Sequence, residues 1–212
     1  MSQESTSKGK LKITPKKILA ILIILAIPIL YYALTKYALP ITTWNYGGKV
    51  VGFRTDLRAA QKIPIIEIES IPNVNDADQS IRDTLIRRDV QNITFLFEPT
   101  DDKNNALYVI EETELIKALT LSYLSIMPTE LQPTMPNFNA AVVDNYTGIT
   151  ATQLNPKIVL IHPNFGNQTV VRQDGYIIYV EAKNTGNFDS NKLQFDLATE
   201  RLMMALLTIK IQ

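Results

Sequence analysis

Seventeen consecutive residues without a charge, 18–34 (ILAILIILAIPILYYAL), argue against a chain that folds entirely as one water-soluble body. With residues 35–39 the run reaches about 22 residues, or ~33 Å as a helix, enough to cross a hydrocarbon core of about 30 Å. It has no polar face, so it does not read as a surface helix of a globular domain. Pro28 lies inside it, which a membrane helix tolerates with a kink because neighbouring structure re-satisfies the freed backbone groups. Tyr31, Tyr32 and Tyr37, then Trp44 and Tyr46, follow on its C-terminal side as an interfacial aromatic belt. A cleaved signal peptide opens the same way, but this run is longer than such a segment and no small-x-small site follows it. The expectation is an uncleaved single-pass anchor.

Flanking charge sets the expected orientation. Lys8, Lys10, Lys12, Lys16 and Lys17 precede the run, against Lys36, Lys49 and Arg54 after it. The bias places the N-terminus in the cytoplasm and the C-terminal domain outside the cell membrane. Six of the 21 basic residues precede Pro40, against one of the 21 acidic ones, so the remainder carries 15 basic and 20 acidic side chains and a net charge near −5. An acidic domain is a poor nucleic-acid binder, because that affinity comes from neutralising phosphates, and no nucleic-acid partner is expected. The expected partners are the lipid bilayer and another envelope or membrane protein.

The chain therefore divides into a basic cytoplasmic tail (1–17), a transmembrane helix (18–39), a linker (40–48, PITTWNYGG) and an extracytoplasmic α+β domain (49–212). There is no cysteine, so disulfides, thiolate metal sites and cysteine nucleophiles are absent. An extracytoplasmic domain without disulfides fits a bacterial or archaeal surface at least as well as a eukaryotic one.

Strand patterns cover residues 49–53, 63–68, 92–97, 106–110 (ALYVI) and 157–161. Residues 169–172 and 176–181 pair as a hairpin about Asp174-Gly175. Helical patterns cover 76–89, with Asp76 and Gln79 in a capping-box relation. They also cover 113–127, with Leu115, Leu119, Tyr123 and Met127 in one row, and 190–209. Residues 128–156 show no element. Loops of that length in a compact domain tend to be functional, so this stretch and the region of Arg54 to Arg58 are the expected contact surfaces. From Pro64 to Ile161 the order reads β-α-β-β-α-β, the split pattern of a ferredoxin-like sandwich. The expected domain is a two-layer α/β sandwich of that kind with an added hairpin and a C-terminal helix. A doubly wound parallel sheet is the alternative.

The chemistry-bearing candidates are few. His162, the one histidine, ends the strand KIVLI. It would serve as a general base with a carboxylate in a cell-envelope hydrolase, or stand as a strand-end residue in a turn. Arg54, Asp56 and Arg58 lie close together in FRTDLR. Arg54 could bind an anion, or the three could form an ion-pair network that fixes the linker to the domain. Glu111, Glu112 and Glu114 fall where a helix start would favour acids. Of three N-x-S/T sequons, at Asn92, Asn145 and Asn167, only Asn145 and Asn167 lie in loop-like surroundings that suit a glycan. No nucleophile elbow, S-x-x-K or phosphate loop occurs, so no catalytic residue is assigned, no metal site and no cofactor are expected, and a non-enzymatic role leads. A third role is as an accessory subunit of a membrane complex, although the apolar run offers almost no polar face for helix association.

Three segments carry a resemblance: Phe53-Arg54-Thr55-Asp56-Leu57-Arg58-Ala59-Ala60 followed by Pro64; Pro163 with Asn167-Gln168-Thr169-Val170; and Asp196-Leu197-Ala198-Thr199. With the lysine-flanked apolar run, the chain resembles uncharacterised single-pass membrane-anchored proteins of archaea. The resemblance implies the anchored topology and brings no activity.

Overall fold

In the computed structural model of the chain, residues 42–67, 76–126 and 135–211 are described. The expected tail and span, residues 1–39, lie outside them. No helix among the described residues is long and apolar enough to cross a membrane.

The first described element corrects the reading of residues 40–48 as a linker. Strand β1 (Thr42–Tyr46) pairs antiparallel with β2 (Lys49–Phe53) across Gly47-Gly48, whose φ angles are +55° and +81°. A two-residue turn with both angles positive matches the strand twist and needs glycine. Thr42, Trp44 and Tyr46 share a face with Val51 and Phe53. On that face Val51 and Phe53 are buried, Trp44 stays exposed, and the Tyr46 hydroxyl donates to Ser125 Oγ at 3.0 Å. The short helix α1 (Leu57–Gln61) follows, capped by Asp56.

The main sheet has six strands: β3 (Ile65–Glu67), β4 (Asn92–Phe97), β5 (Asn137–Val142), β6 (Lys157–Ile161), β7 (Val170–Asp174) and β8 (Ile177–Glu181). Their spatial order is β3-β7-β8-β6-β4-β5. Strands β5, β4, β6 and β8 are mutually parallel, β7 runs antiparallel to β8, and β3 runs parallel to β7. The β7–β8 hairpin turns at Gly175, φ +54°, as the Asp-Gly signal indicates. The remaining helices are α2 (Ala77–Leu85), α3 (Asp102–Ile126) and α4 (Phe188–Leu206). Asp76 caps α2 as its spacing predicts, and Asn187 caps α4.

Strand alternation builds the layers. Ile93, Phe95, Ile158, Leu160, Val171, Ile178 and Val180 face the helices in one apolar core, with Leu115, Leu119, Tyr123, Phe195, Leu202 and Met204 opposite. On the other face Leu96, Val159, Ile161 and Ile177 pack beneath Val143, Tyr146, Ile149 and Ala151, which belong to the chain between β5 and β6. The fold is α+β, with a mixed sheet, helices on one face and a C-terminal helix. A doubly wound arrangement, which needs helices on both faces, is excluded among the described residues.

The ferredoxin-like order fails at residues 106–110. ALYVI is not a strand but part of the 25-residue helix α3. The buried positions Leu107, Tyr108, Glu111, Leu115, Ala118, Leu119, Ser122 and Tyr123 keep one helical period throughout. The row Leu115–Leu119–Tyr123 extends backward through Glu111 to Leu107, and a carboxylate at a core position masked that continuity. Residues 128–156 also gain an element, since β5 lies within them.

Candidate functional site

The densest group of buried ionisable side chains lies where the chain leaves β2. Phe53 ends the strand inside the core, and the next two residues turn their backbone N–H groups toward α4. Thr55 N–H donates to Glu200 Oε1 at 3.0 Å and Oε2 at 3.1 Å. Arg54 N–H and the Thr55 hydroxyl donate to the same carboxylate. The Arg54 guanidinium then reaches three further acids: Glu111 at 3.3 Å, Asp196 at 3.5 Å and Glu114 at 3.2 Å. Helix spacing assembles these partners. Glu111 and Glu114 stand one turn apart on α3, and Lys192, Asp196 and Glu200 stand at four-residue intervals on α4. Lys192 Nζ lies 2.6 Å from Asp196, and Lys117 Nζ lies 2.9 Å from Glu114.

Glu111, Asp196 and Glu200 are each at least 95% buried. Burial pushes the Glu111 carboxyl well up, and the charge of Asp196 and a hydrogen bond to it push the same way, while the Arg54 charge opposes them. Burial also pushes Glu200 up to about 6, against the hydrogen bonds from Thr55 and the Arg54 N–H. Four carboxyl groups, those of Glu111, Glu114, Asp196 and Glu200, thus gather around three cations, Arg54, Lys117 and Lys192. Neighbouring buried carboxyls can act as acid and base when substrate reaches them. Here they are engaged by the Arg54 guanidinium. The arrangement is a charge-paired clasp joining the end of β2 to α3 and α4.

The other sequence candidates fall apart in space. Asp56 is exposed and accepts the Arg58 backbone N–H at 2.9 Å. Arg58 is exposed and lines an open groove of about 440 Å³ with Gln61, Lys62 and Ile211. The glutamates expected at a helix start lie inside α3. His162 is 1% exposed. Its Nδ1 accepts from Asn164 N–H at 3.1 Å, so the ring proton sits on Nε2, which finds no partner among the described residues. Tyr108 and Phe195 flank the ring at 5.6 and 6.1 Å. Burial pushes its pKa down, with the charge of Asp101 acting the other way. His162 is therefore a neutral core ring without a hydrogen-bonded carboxylate among the described residues. Among those residues no group of three or more His, Asp or Glu is arranged to hold a metal ion.

Asn145 is exposed, with Oδ1 accepting from the Thr147 N–H at 2.9 Å. Asn167 is also exposed, and its N–H donates to Glu181 at 2.8 Å. Asn92 is tied through its side chain to Asn155 and Asn137 beside the sheet, an unsuitable place for a glycan. On that second face Glu181 also pairs with Arg172 at 2.9 Å, and Arg172 lies over the Tyr179 ring.

Sequence reasoning missed the clasp because its members sit far apart in the chain and Glu111 read as part of a helix terminus. Two of its parts nevertheless lie in segments already singled out, Phe53–Ala60 and Asp196–Thr199. No protein-family model matches the chain. No curated protein and no solved structure matches it significantly.

Proposed function

We propose that this chain is a membrane-anchored binding domain that engages another envelope or membrane protein, and that β5 supplies the contact. The single observation behind this reading is the character of that strand. It ends the main sheet, and Val142 on it is 58% exposed. From Asn137 to Val143 it carries no charge and no proline. Natural edges are normally blunted by charge, proline or a covering segment, and an unblunted edge is a template for strand addition. The ionisable groups that would support catalysis are spent on one another in the clasp, and His162 is closed off, which counts against the hydrolase reading. The apolar run 18–39 supplies the anchor, and the lysines before it favour a cytoplasmic N-terminus with the domain outside.

The test has two arms. Protease treatment of intact cells carrying a C-terminal tag reports orientation: cleavage from outside supports it, and protection until lysis reverses it. A photocrosslinking residue at Asn139, compared with one at the exposed Leu193 on α4, reports the surface. Adducts to a membrane protein from 139 and not from 193 support the reading. Equal adducts, or none from 139, refute it.

A further inference from the structure

We propose that the β5 edge is a self-recognition surface, through which two copies of this chain join their sheets antiparallel about a two-fold axis at Ala140. This rests on the reading of β5 as the contact strand and names its partner. The register decides which groups are free. The N–H groups of Asn137 and Val143 donate to Gln91 O at 2.9 Å and Phe97 O at 3.0 Å, so the odd-numbered residues of β5 turn their polar groups toward β4. The N–H and C=O of Phe138, Ala140 and Val142 point outward. An antiparallel copy centred on Ala140 sets Phe138 opposite Val142 of the second copy, Ala140 opposite Ala140, and Val142 opposite Phe138. Each opposed pair exchanges two hydrogen bonds, six in all.

The side chains satisfy the same symmetry. Phe138, Ala140 and Val142 share the helix-facing side, so the join brings an aromatic ring against an exposed valine twice, a favourable cross-strand pair. The smallest side chain of the three lies on the axis. On the other face Asn139 meets Ala141. No position from 137 to 143 sets like charges opposite each other, although the region from Pro40 onward is acidic overall. A generic extended peptide would gain the same backbone bonds but not the matched Phe138–Val142 pairs.

Full-length protein in detergent, free of native cysteine, allows a direct test. Residues in a hydrogen-bonded antiparallel pair have Cα atoms about 5.5 Å apart, within disulfide reach of about 4.4–6.8 Å. Under mild oxidation Ala140→Cys is expected to give a covalent dimer. Val142→Cys is not, because two Val142 positions lie about 13 Å apart along the paired strands. Ala140→Pro removes only an outward N–H and keeps the β4 ladder, so it is expected to yield a monomer by light scattering with its thermal midpoint retained. A wild-type monomer at membrane-like densities, a dimer that survives Ala140→Pro, or equal crosslinking at 140 and 142 overturns the proposal. A wild-type monomer whose Asn139 probe captures a different membrane protein overturns self-pairing and leaves the binding-domain reading standing. A probe that captures nothing sinks both.

Discussion

Replacing Arg54 by alanine removes a cation that touches Glu111, Glu114 and Asp196 together. Each contact, at 3.2–3.5 Å, carries a gross attraction of about 5 kcal/mol at an effective dielectric of about 20. That sum is not the expected loss, since the folded chain also bears the desolvation of every partner. The loss has a ceiling, because a stranded carboxylate can take up a proton instead of staying charged. Keeping a carboxyl group protonated costs about 1.4 kcal/mol for each pH unit above its pKa, so the cost shrinks as the pH falls. Removing one partner of a buried ion pair typically costs about 3–5 kcal/mol. Arg54→Ala should therefore lose about 3–5 kcal/mol at pH 7.5 and less at pH 5. Urea unfolding of wild type and variant at both pH values, followed by far-UV circular dichroism, measures it. A loss below about 1 kcal/mol at pH 7.5 would mean that the carboxylates find water and the clasp is not closed. A loss as large at pH 5 as at pH 7.5 would mean that Arg54 acts through packing of its stem rather than its charge.

Glu200, pushed up to about 6 from 4.5, binds its proton more tightly in the folded state. That stability is present below about pH 4.5 and is lost as the pH rises through about 6, a change of about 2 kcal/mol. Between pH 4.5 and 7, wild type should lose about 2 kcal/mol more than Glu200→Gln, and parallel urea-midpoint profiles would contradict the assigned burial. His162 acts with the opposite sign: its lowered pKa makes stability fall as the pH drops below 6.5. His162→Phe should remove that slope, and an unchanged acid limb would show that the ring is solvated. Gly166 leaves no room for a side chain, since a Cβ there would lie 2.1 Å from the Ala182 carbonyl oxygen. Gly166→Ala should cost about 2–3 kcal/mol by thermal unfolding, and a neutral result would mean that the loop before β7 is not fixed against β8.

The sequence reveals this fold wherever one period dominates. NITFLF and KIVLI are strands with the bounds their apolar runs mark, and Asp174-Gly175 places its hairpin because few residues other than glycine accept the required φ. Reading fails where tertiary contacts override a local signal. ALYVI has strand propensity, yet the α3 seam needs Leu107 and Tyr108 one turn before Glu111. Asn137 to Val142 has weak strand propensity and depends on β4 for its form, so nothing local marks it. Arg54 is visible as an ion-pairing residue. Its partners on α3 and α4 lie 57 to 142 residues away, and no spacing rule joins them.

The clasp takes on a further sense once the proposed anchor is considered. The apolar run ends at residue 39, and β1 begins at Thr42. Any pull transmitted along the chain from the membrane thus enters the domain through the β1–β2 hairpin. A two-stranded hairpin alone is marginally stable in water. What keeps this one on the domain is the inward face of Tyr46, Val51 and Phe53, and directly after it the Arg54–Thr55 contacts to three carboxylates that have little access to solvent. Breaking those contacts strands buried charge at neutral pH, which makes the junction resist peeling more than its apolar area alone would. The ionisable groups that read as candidate chemistry are placed where a tethered domain most needs a fastening. The proposed contact strand β5 lies at the other end of the sheet order from β3.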